Sequence, residues 1–431
     1  MAAPPAPRLE RGLAGRIAFS PMPEAQQDRS LDARARANLG LLATCQALGQ
    51  ACNTMMLAAT ALSVVTFYAN RDLATLPVTM QHLGVMLWVF PAAMLMQRMG
   101  RRFGFRVGSI FGMAGAATIG TGLYNGSFVT MCAGGFLLGY AVACLHQYRF
   151  AAVELVPMSH RAKAISWVTA GGIVAAFVGP SLVRWTHDQW MPFYIGTYAA
   201  IFLIHAVVFT IMSFIRFPEM AATVPGVRDP AAMAPRPLAE IARQPRFIAA
   251  VVSAMVGYGV MVFLMGASPL AIVGCGMPHS EAHMVILMHV LGMFVPALFT
   301  GNLITRFGTT RVMTVGVVLL FAGVAAGLAG LSEWHFRAAM TLNGVGWNFL
   351  FVGATTLVTT CYRPNERGKV QALNDFLIFG TTAMMSFTAG FLQERLGWFA
   401  LNWFSLVLLC VAALAVVWLR LREGRPVPAA A

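Results

Sequence analysis

Asp375 is the residue whose placement most demands a chemical explanation. It stands in the run Asn374-Asp375-Phe-Leu-Ile-Phe-Gly380 as the one carboxylate well inside a long apolar stretch, about two helical turns from its end. An ionised carboxylate at hydrocarbon depth costs about 3 kcal/mol unless it is paired; otherwise it takes up a proton. Either outcome suits a protein that couples proton movement to another event. Amides recur in a second stretch. Gln46, Gln50 and Asn53 fall at i, i+4 and i+7, which stacks them along one helical face, fit to bond a solute or a neighbouring helix. In a third stretch Asn343 and Trp347 share a face by the same spacing, with Asn348 beside them. That joins amides to a flat aromatic suited to stacking on a ring-bearing or cationic ligand. Tyr258, and the group Tyr140, His146 and Arg149, add polar atoms to two more stretches.

His82 and His289 precede Pro91 and Pro296 in corresponding apolar stretches, and either could relay protons or bond a neighbouring helix in neutral form. His279-Ser-Glu281-Ala-His283, with Cys275 nearby, has the i, i+4 spacing of a metal pair, but the pattern is too common to assign an ion and no metal is expected. The seven cysteines are scattered without a Cys-x-x-Cys and read as small core residues. Nucleophile elbow, zinc helix and phosphate loop are all missing, so no enzyme and no ATP-driven pump is read here.

The elements that must position these residues are membrane helices. Hydrophobic residues form 58% of the chain and charged ones 11%, against roughly a quarter in soluble domains. A span needs about 20 apolar residues and satisfies its own backbone bonds in lipid. Twelve spans are predicted, near 40–68, 73–95, 105–124, 128–155, 164–186 and 191–215, then 247–272, 282–304, 311–331, 335–360, 369–392 and 397–419. This divides the chain into a disordered tail (1–37), a six-helix bundle (38–215), a linker (216–246) with five Arg and six Pro, a second bundle (247–421) and a short tail (422–431). Counted from an inside N-terminus, 26 of the 30 Lys and Arg fall on the inner side and Arg71, Arg184, Arg337 and Arg395 on the outer. That bias predicts both termini in the cytoplasm, and the charge of +14 belongs to a membrane face rather than to a nucleic-acid partner.

The two bundles are copies. Ala93-Met-Leu-Met-Gln-Arg-Met-Gly-Arg-Arg102 returns 208 residues later as Gly301-Asn-Leu-Ile-Thr-Arg-Phe-Gly-Thr-Thr310, and Pro157, Arg161 and Lys163 return 206 or 207 residues later as Pro364, Arg367 and Lys369. The first segment resembles the Gly-x-Leu-x-Asp-Arg-x-Gly-Arg-Arg loop of the major facilitator superfamily, and the second its degenerate echo. Arg98, Gly100, Arg101 and Arg102, with Arg306 and Gly308, match the motif. Ala93 replaces its first glycine, and Gln97 and Thr305 stand where the acid belongs, so the family's ionic latch from loop to later helix is replaced by neutral hydrogen bonds or lost.

The resemblance implies an all-α membrane protein of twelve helices in two pseudo-twofold bundles, with spans 1, 4, 7 and 10 lining a central cavity. It makes Gln46, Gln50, Asn53, Tyr140, His146, Tyr258, Asn343, Trp347, Asn348 and Asn374 candidates for substrate contact. It also brings the inner ends of spans 4 and 11 together, so Arg149 and Asp375 are expected to form a gating ion pair, against a pairing of Arg149 with Glu154 or lipid phosphate. Gly179-Pro180 resembles part of an exporter motif and tilts the direction outward. The expectation is a monomeric carrier in a bacterial inner membrane that needs no cofactor and draws on a proton gradient to expel a small organic molecule. The alternatives are uptake of a metabolite such as a vitamin by symport or facilitation, and a transporter-like sensor or assembly protein without flux.

Overall fold

In the computed structural model, residues 32–157, 160–217, 234–363 and 366–423 are described. Most of the two tails, the linker residues 218–233, Pro364, and the side chains of Arg161 and Lys163 lie outside them. The described chain is helical: α1 (Ala33–Val64), α2 (Leu76–Met99), α3 (Arg101–Tyr124), α4 (Phe128–Glu154), α5 (Arg161–Thr186), α6 (Ile195–Phe214), then a short helix Leu238–Ala242 and α7 (Pro245–Gly274). α8 is broken into His279–Phe294 and Ala297–Phe307; α9 (Thr309–Ala329) and α10 (Glu333–Thr359) follow. The stretch Arg367–Glu423 bends at Gly397, with φ 75°, into α11 (367–396) and α12 (398–423).

Nine of these helical stretches are long and apolar enough to cross a membrane, the bent one counting once for two. The two that fall short are α1 and α10, the helices whose amides lower their hydropathy. α1 begins at Ala33, inside the predicted tail, so the helix projects beyond the apolar span that the sequence marks.

Local rules explain the joints. Gly100 and Gly308 take φ of 87° and 88°, a left-handed value that suits glycine, and each ends one helix and starts the next without a loop. Pro91 remains inside α2, whereas Pro296 splits α8. At that split Asn348 donates to the Met293 carbonyl at 2.8 Å, so an acceptor left open by the break is satisfied.

Within the first half α1 packs on α5 and α6, α2 on α4, and α3 on α4 and α6; in the second, α8 and α9 both pack on α10. Helix backbones touch at glycines: a Cβ on Gly84 of α2 would lie 2.5 Å from the Phe136 carbonyl of α4, and one on Gly292 of α8 would lie 2.7 Å from the Thr341 carbonyl of α10. Between halves, α2 meets the 367–423 stretch, α5 meets α8, and α1 meets α7, as a twofold exchange of helices requires.

The two ends of the molecule differ. On the face opposite the Gly100 and Gly308 turns, every residue of Thr54–Val64 in α1 and of Gly259–Pro269 in α7 is buried all round, which closes that far side. Contacts across the halves fasten it. Arg395 grips Asp72 at 2.6 and 3.0 Å, Thr75 donates to the Ser386 carbonyl at 2.8 Å, and the Tyr194 hydroxyl meets His279 Nδ1 at 2.8 Å. Toward the Arg-rich, basic face, α1 between residues 40 and 50 is mostly half-exposed. There Arg367 reaches over the Phe150 ring at 5.6 Å.

Candidate functional site

Aromatic rings gather where α4, α7, α10 and α11 approach. Trp347 and Phe351, one turn apart on α10, stack at 5.1 Å with planes 12° apart. Tyr258 of α7 stands edge-on to both, at 5.5 and 5.2 Å. Phe379 of α11 lies 5.9 Å from Tyr258, and His146 of α4 packs on Phe379 at 5.2 Å, so the ring cluster crosses from one half to the other. Offset and edge-on aromatic geometry of this kind leaves faces on which a further planar ring can pack.

Charged groups lie one turn toward the basic face. Arg149, three residues past His146, is exposed there with its guanidinium 4.8 Å above the Phe150 ring. Asp375, four residues before Phe379, is half-buried and accepts from Asn374 Nδ2 at 3.0 Å. The charges of Arg149 and Asp375 interact, and Arg149 also faces Tyr258. No ion-pair contact joins Arg149 to Asp375 among the described residues, so the expected pair stands open. Glu154, the competing partner, belongs instead to Arg101, which holds it at 2.8, 3.2 and 3.3 Å.

Several residues grouped by sequence separate in space. Tyr140 is buried within the first bundle, stacked on Phe111 at 4.4 Å and edge-on to Trp88, away from the aromatic cluster. Asn348 has both amide atoms engaged in the α8–α10 seam, its Oδ1 accepting from Thr300 at 2.6 Å. Asn53 accepts from Gln81 Nε2 at 3.0 Å and borders a cavity of about 20 Å³ with Ser109, Tyr148 and His205, room for one water. Gln46 and Gln50 are half-buried. His82 bonds the Val78 carbonyl of its own helix at 2.9 Å, and His289 ties α8 to the Met340 carbonyl of α10 at 2.8 Å. Asn343 and Trp347, one turn apart on α10, are both buried.

The motif loop keeps an ionic latch despite Gln97. Arg101 supplies it through Glu154, Arg102 donates to the Ser213 carbonyl, and Gln97 and Arg98 are exposed. The second copy differs, with Thr305 bonding the Asn302 carbonyl at 2.9 Å and Arg306 lying over Phe307. On that half an ionic contact instead fastens the turn between α10 and α11 to the linker. Glu366, fully buried, accepts from the Arg236 side chain at 2.8 and 3.1 Å and from the backbone N–H groups of Arg236 and Arg363 at 2.7 and 2.9 Å. The guanidinium beside it holds its carboxyl well below the usual carboxylate range.

Sequence reasoning passed over Phe351, Phe379 and Arg236. The signal for the first two was their i+4 spacing from Trp347 and Asp375; for Arg236 there was none, since one arginine in a Pro-rich linker resembles any other.

The profile of the Major Facilitator Superfamily matches residues 39–274 and 264–431. The chain is 38% identical over 390 residues to the riboflavin transporter RfnT of Brucella anthropi, covering 90% of this chain and 96% of that one. Its fold is similar to the xylose transporter XylE of E. coli in a partially occluded inward-open conformation, with a TM-score of 0.67 at 12% identity, over 92% of this chain and all of that one. It is also similar to the E. coli fucose:proton symporter FucP, with a TM-score of 0.60 at 16% identity, over 90% and 99% of the two chains. With a family match over nearly its whole length and twelve helices in the arrangement described, the chain belongs to the Major Facilitator Superfamily and is a multi-pass membrane transporter of a small molecule.

Proposed function

We propose that this transporter carries a flat, ring-bearing solute of the riboflavin kind into the cell, by alternating access and with protons. The observation that carries the reading is the cluster of Tyr258, Trp347, Phe351 and Phe379 beside Arg149 and Asp375, at the meeting of the two halves. Aromatic faces suit a planar heterocycle, and the charged pair next to them suits a proton-dependent step. The riboflavin-transporting relative, aligned over nine-tenths of this chain, supports the substrate class. It matches the vitamin class of the uptake alternative. The exporter-like Gly179-Pro180 has a packing explanation: a Cβ on Gly179 would lie 3.0 to 3.1 Å from Thr54 and Ala51 of α1, so the glycine serves helix contact whatever the direction.

In this reading the basic face and both termini are cytoplasmic, in a bacterial inner membrane, and the protein works as a monomer. The form described, sealed at Thr54–Val64 and Gly259–Pro269, faces inward. Turning outward requires release of the Asp72–Arg395 and Tyr194–His279 contacts and approach of Arg149 to Asp375, which closes the cytoplasmic side. The test is riboflavin binding by the purified protein, followed as quenching of flavin fluorescence, together with uptake into proteoliposomes under an imposed proton gradient. Saturable binding that weakens by roughly tenfold or more in Trp347→Ala is expected, as loss of one aromatic stacking partner is worth about 1–3 kcal/mol. Absence of binding and of uptake would exclude flavins as the substrate class.

A further inference from the structure

We propose that Asn343 recognises an imide edge, the CO–NH–CO face of a pyrimidinedione ring, in the molecule that packs at Trp347; the inference rests on the flavin reading above. Asn343 is only 1% exposed, yet neither its Oδ1 nor its Nδ2 has a hydrogen-bond partner. A buried polar group left unpaired keeps its full desolvation cost, so an amide with both atoms idle calls for an occupant that pairs them. One turn along the same face, Trp347 is 8% exposed and its Nε1–H likewise lacks an acceptor. α10 therefore presents, at i, i+4 and i+8, an unpaired amide, an unpaired indole N–H and the phenyl ring of Phe351 stacked on that indole.

The other asparagine of this segment shows what a purely structural amide looks like. Asn348 ties Met293 and Thr300 with both of its polar atoms. Asn343 ties nothing. A primary amide offers an acceptor and a donor side by side, and an imide offers a donor flanked by acceptors, so the two meet in a pair of hydrogen bonds. The isoalloxazine ring of a flavin carries such an edge at its N3. With that edge on Asn343, the aromatic cluster receives the rest of the ring system, and the Trp347 N–H is left for a hydroxyl of the ligand's side chain.

The experiment compares riboflavin with 3-methylriboflavin, in which a methyl group replaces the N3 hydrogen, by fluorescence titration of the full-length protein. Wild type should favour riboflavin by about tenfold or more, the consequence of one lost hydrogen bond and an amide left unpaired. Asn343→Leu should bring the two affinities within about threefold by weakening riboflavin, whereas Trp347→Ala should weaken both ligands alike. Equal affinities in wild type, or an undiminished preference in folded Asn343→Leu protein, would overturn the assignment and leave flavin transport standing. Wild type that bound neither ligand would overturn both. Should the leucine variant fail to fold, the wild-type ratio decides alone.

Discussion

At the scale of single residues, the open arrangement of Arg149 and Asp375 matters most. Their charges interact without contact, and Asp375 leans on Asn374 rather than on a cation. In the proposed cycle, approach of Arg149 on closure would supply the cation that Asp375 lacks here and favour release of its proton. Asp375→Asn is expected to abolish gradient-driven accumulation in proteoliposomes, by at least tenfold, while exchange of labelled for unlabelled substrate continues. Undiminished accumulation in that variant would remove Asp375 from the coupling step. Tyr258, Trp347, His146, Arg149 and Asp375 were legible in the sequence because a polar atom in an apolar helix needs a reason. Phe351 and Phe379 were not, because a phenylalanine in such a helix needs none. Tyr140 and Asn348 show the remaining gap: spacing along a helix fixes which residues share a face, but not which neighbour that face meets.

At the scale of elements, helix contact is set by glycine. A Cβ on Gly84 would press the Phe136 carbonyl at 2.5 Å and Gly139 Cα at 3.1 Å, both backbone atoms with no room to yield. Gly84→Val should lower stability by about 1–3 kcal/mol in a detergent melt, while Gly301→Ala, with nothing within 4 Å of the new atom, should leave it unchanged. The turn before α11 behaves differently because Glu366 fastens it. Its folded carboxyl titrates below the ordinary range, so the stabilisation is fully present above that range and is lost as pH falls through it toward the folded value. Melting temperature should therefore drop on acidification through the ordinary carboxylate range, and Glu366→Gln should start lower and show a shallower drop. A Gln variant with the same acid slope as wild type would assign that slope elsewhere. The helices themselves could be read from apolar length. The break in α8 could not, since Pro91 and Pro296 occupy matching places and the second has Asn348 positioned to take up a freed carbonyl.

At the scale of the whole molecule, the repeated Gly100 and Gly308 turns declared two halves before any fold was in view, and the helix contacts obey that twofold. What the repeat concealed is unequal fastening. The first half braces its Gly100 turn with its own α4, through Arg101 and Glu154, whereas in the second the ionic contact joins the linker to the turn between α10 and α11, through Arg236 and Glu366. A linker anchored in this way does more than tether, which a composition of Arg and Pro could not disclose. The far face has a practical consequence of its own. Of the seven thiols, five are buried or half-buried; Cys275 is exposed just past the far end of α7, and Cys410 is exposed on α12, within a span. A charged maleimide that stays outside intact cells should thus alkylate one position, Cys275, and peptide mapping would read the protein's sidedness without any engineered reporter. Modification only after the cells are broken would turn the molecule upside down in the membrane.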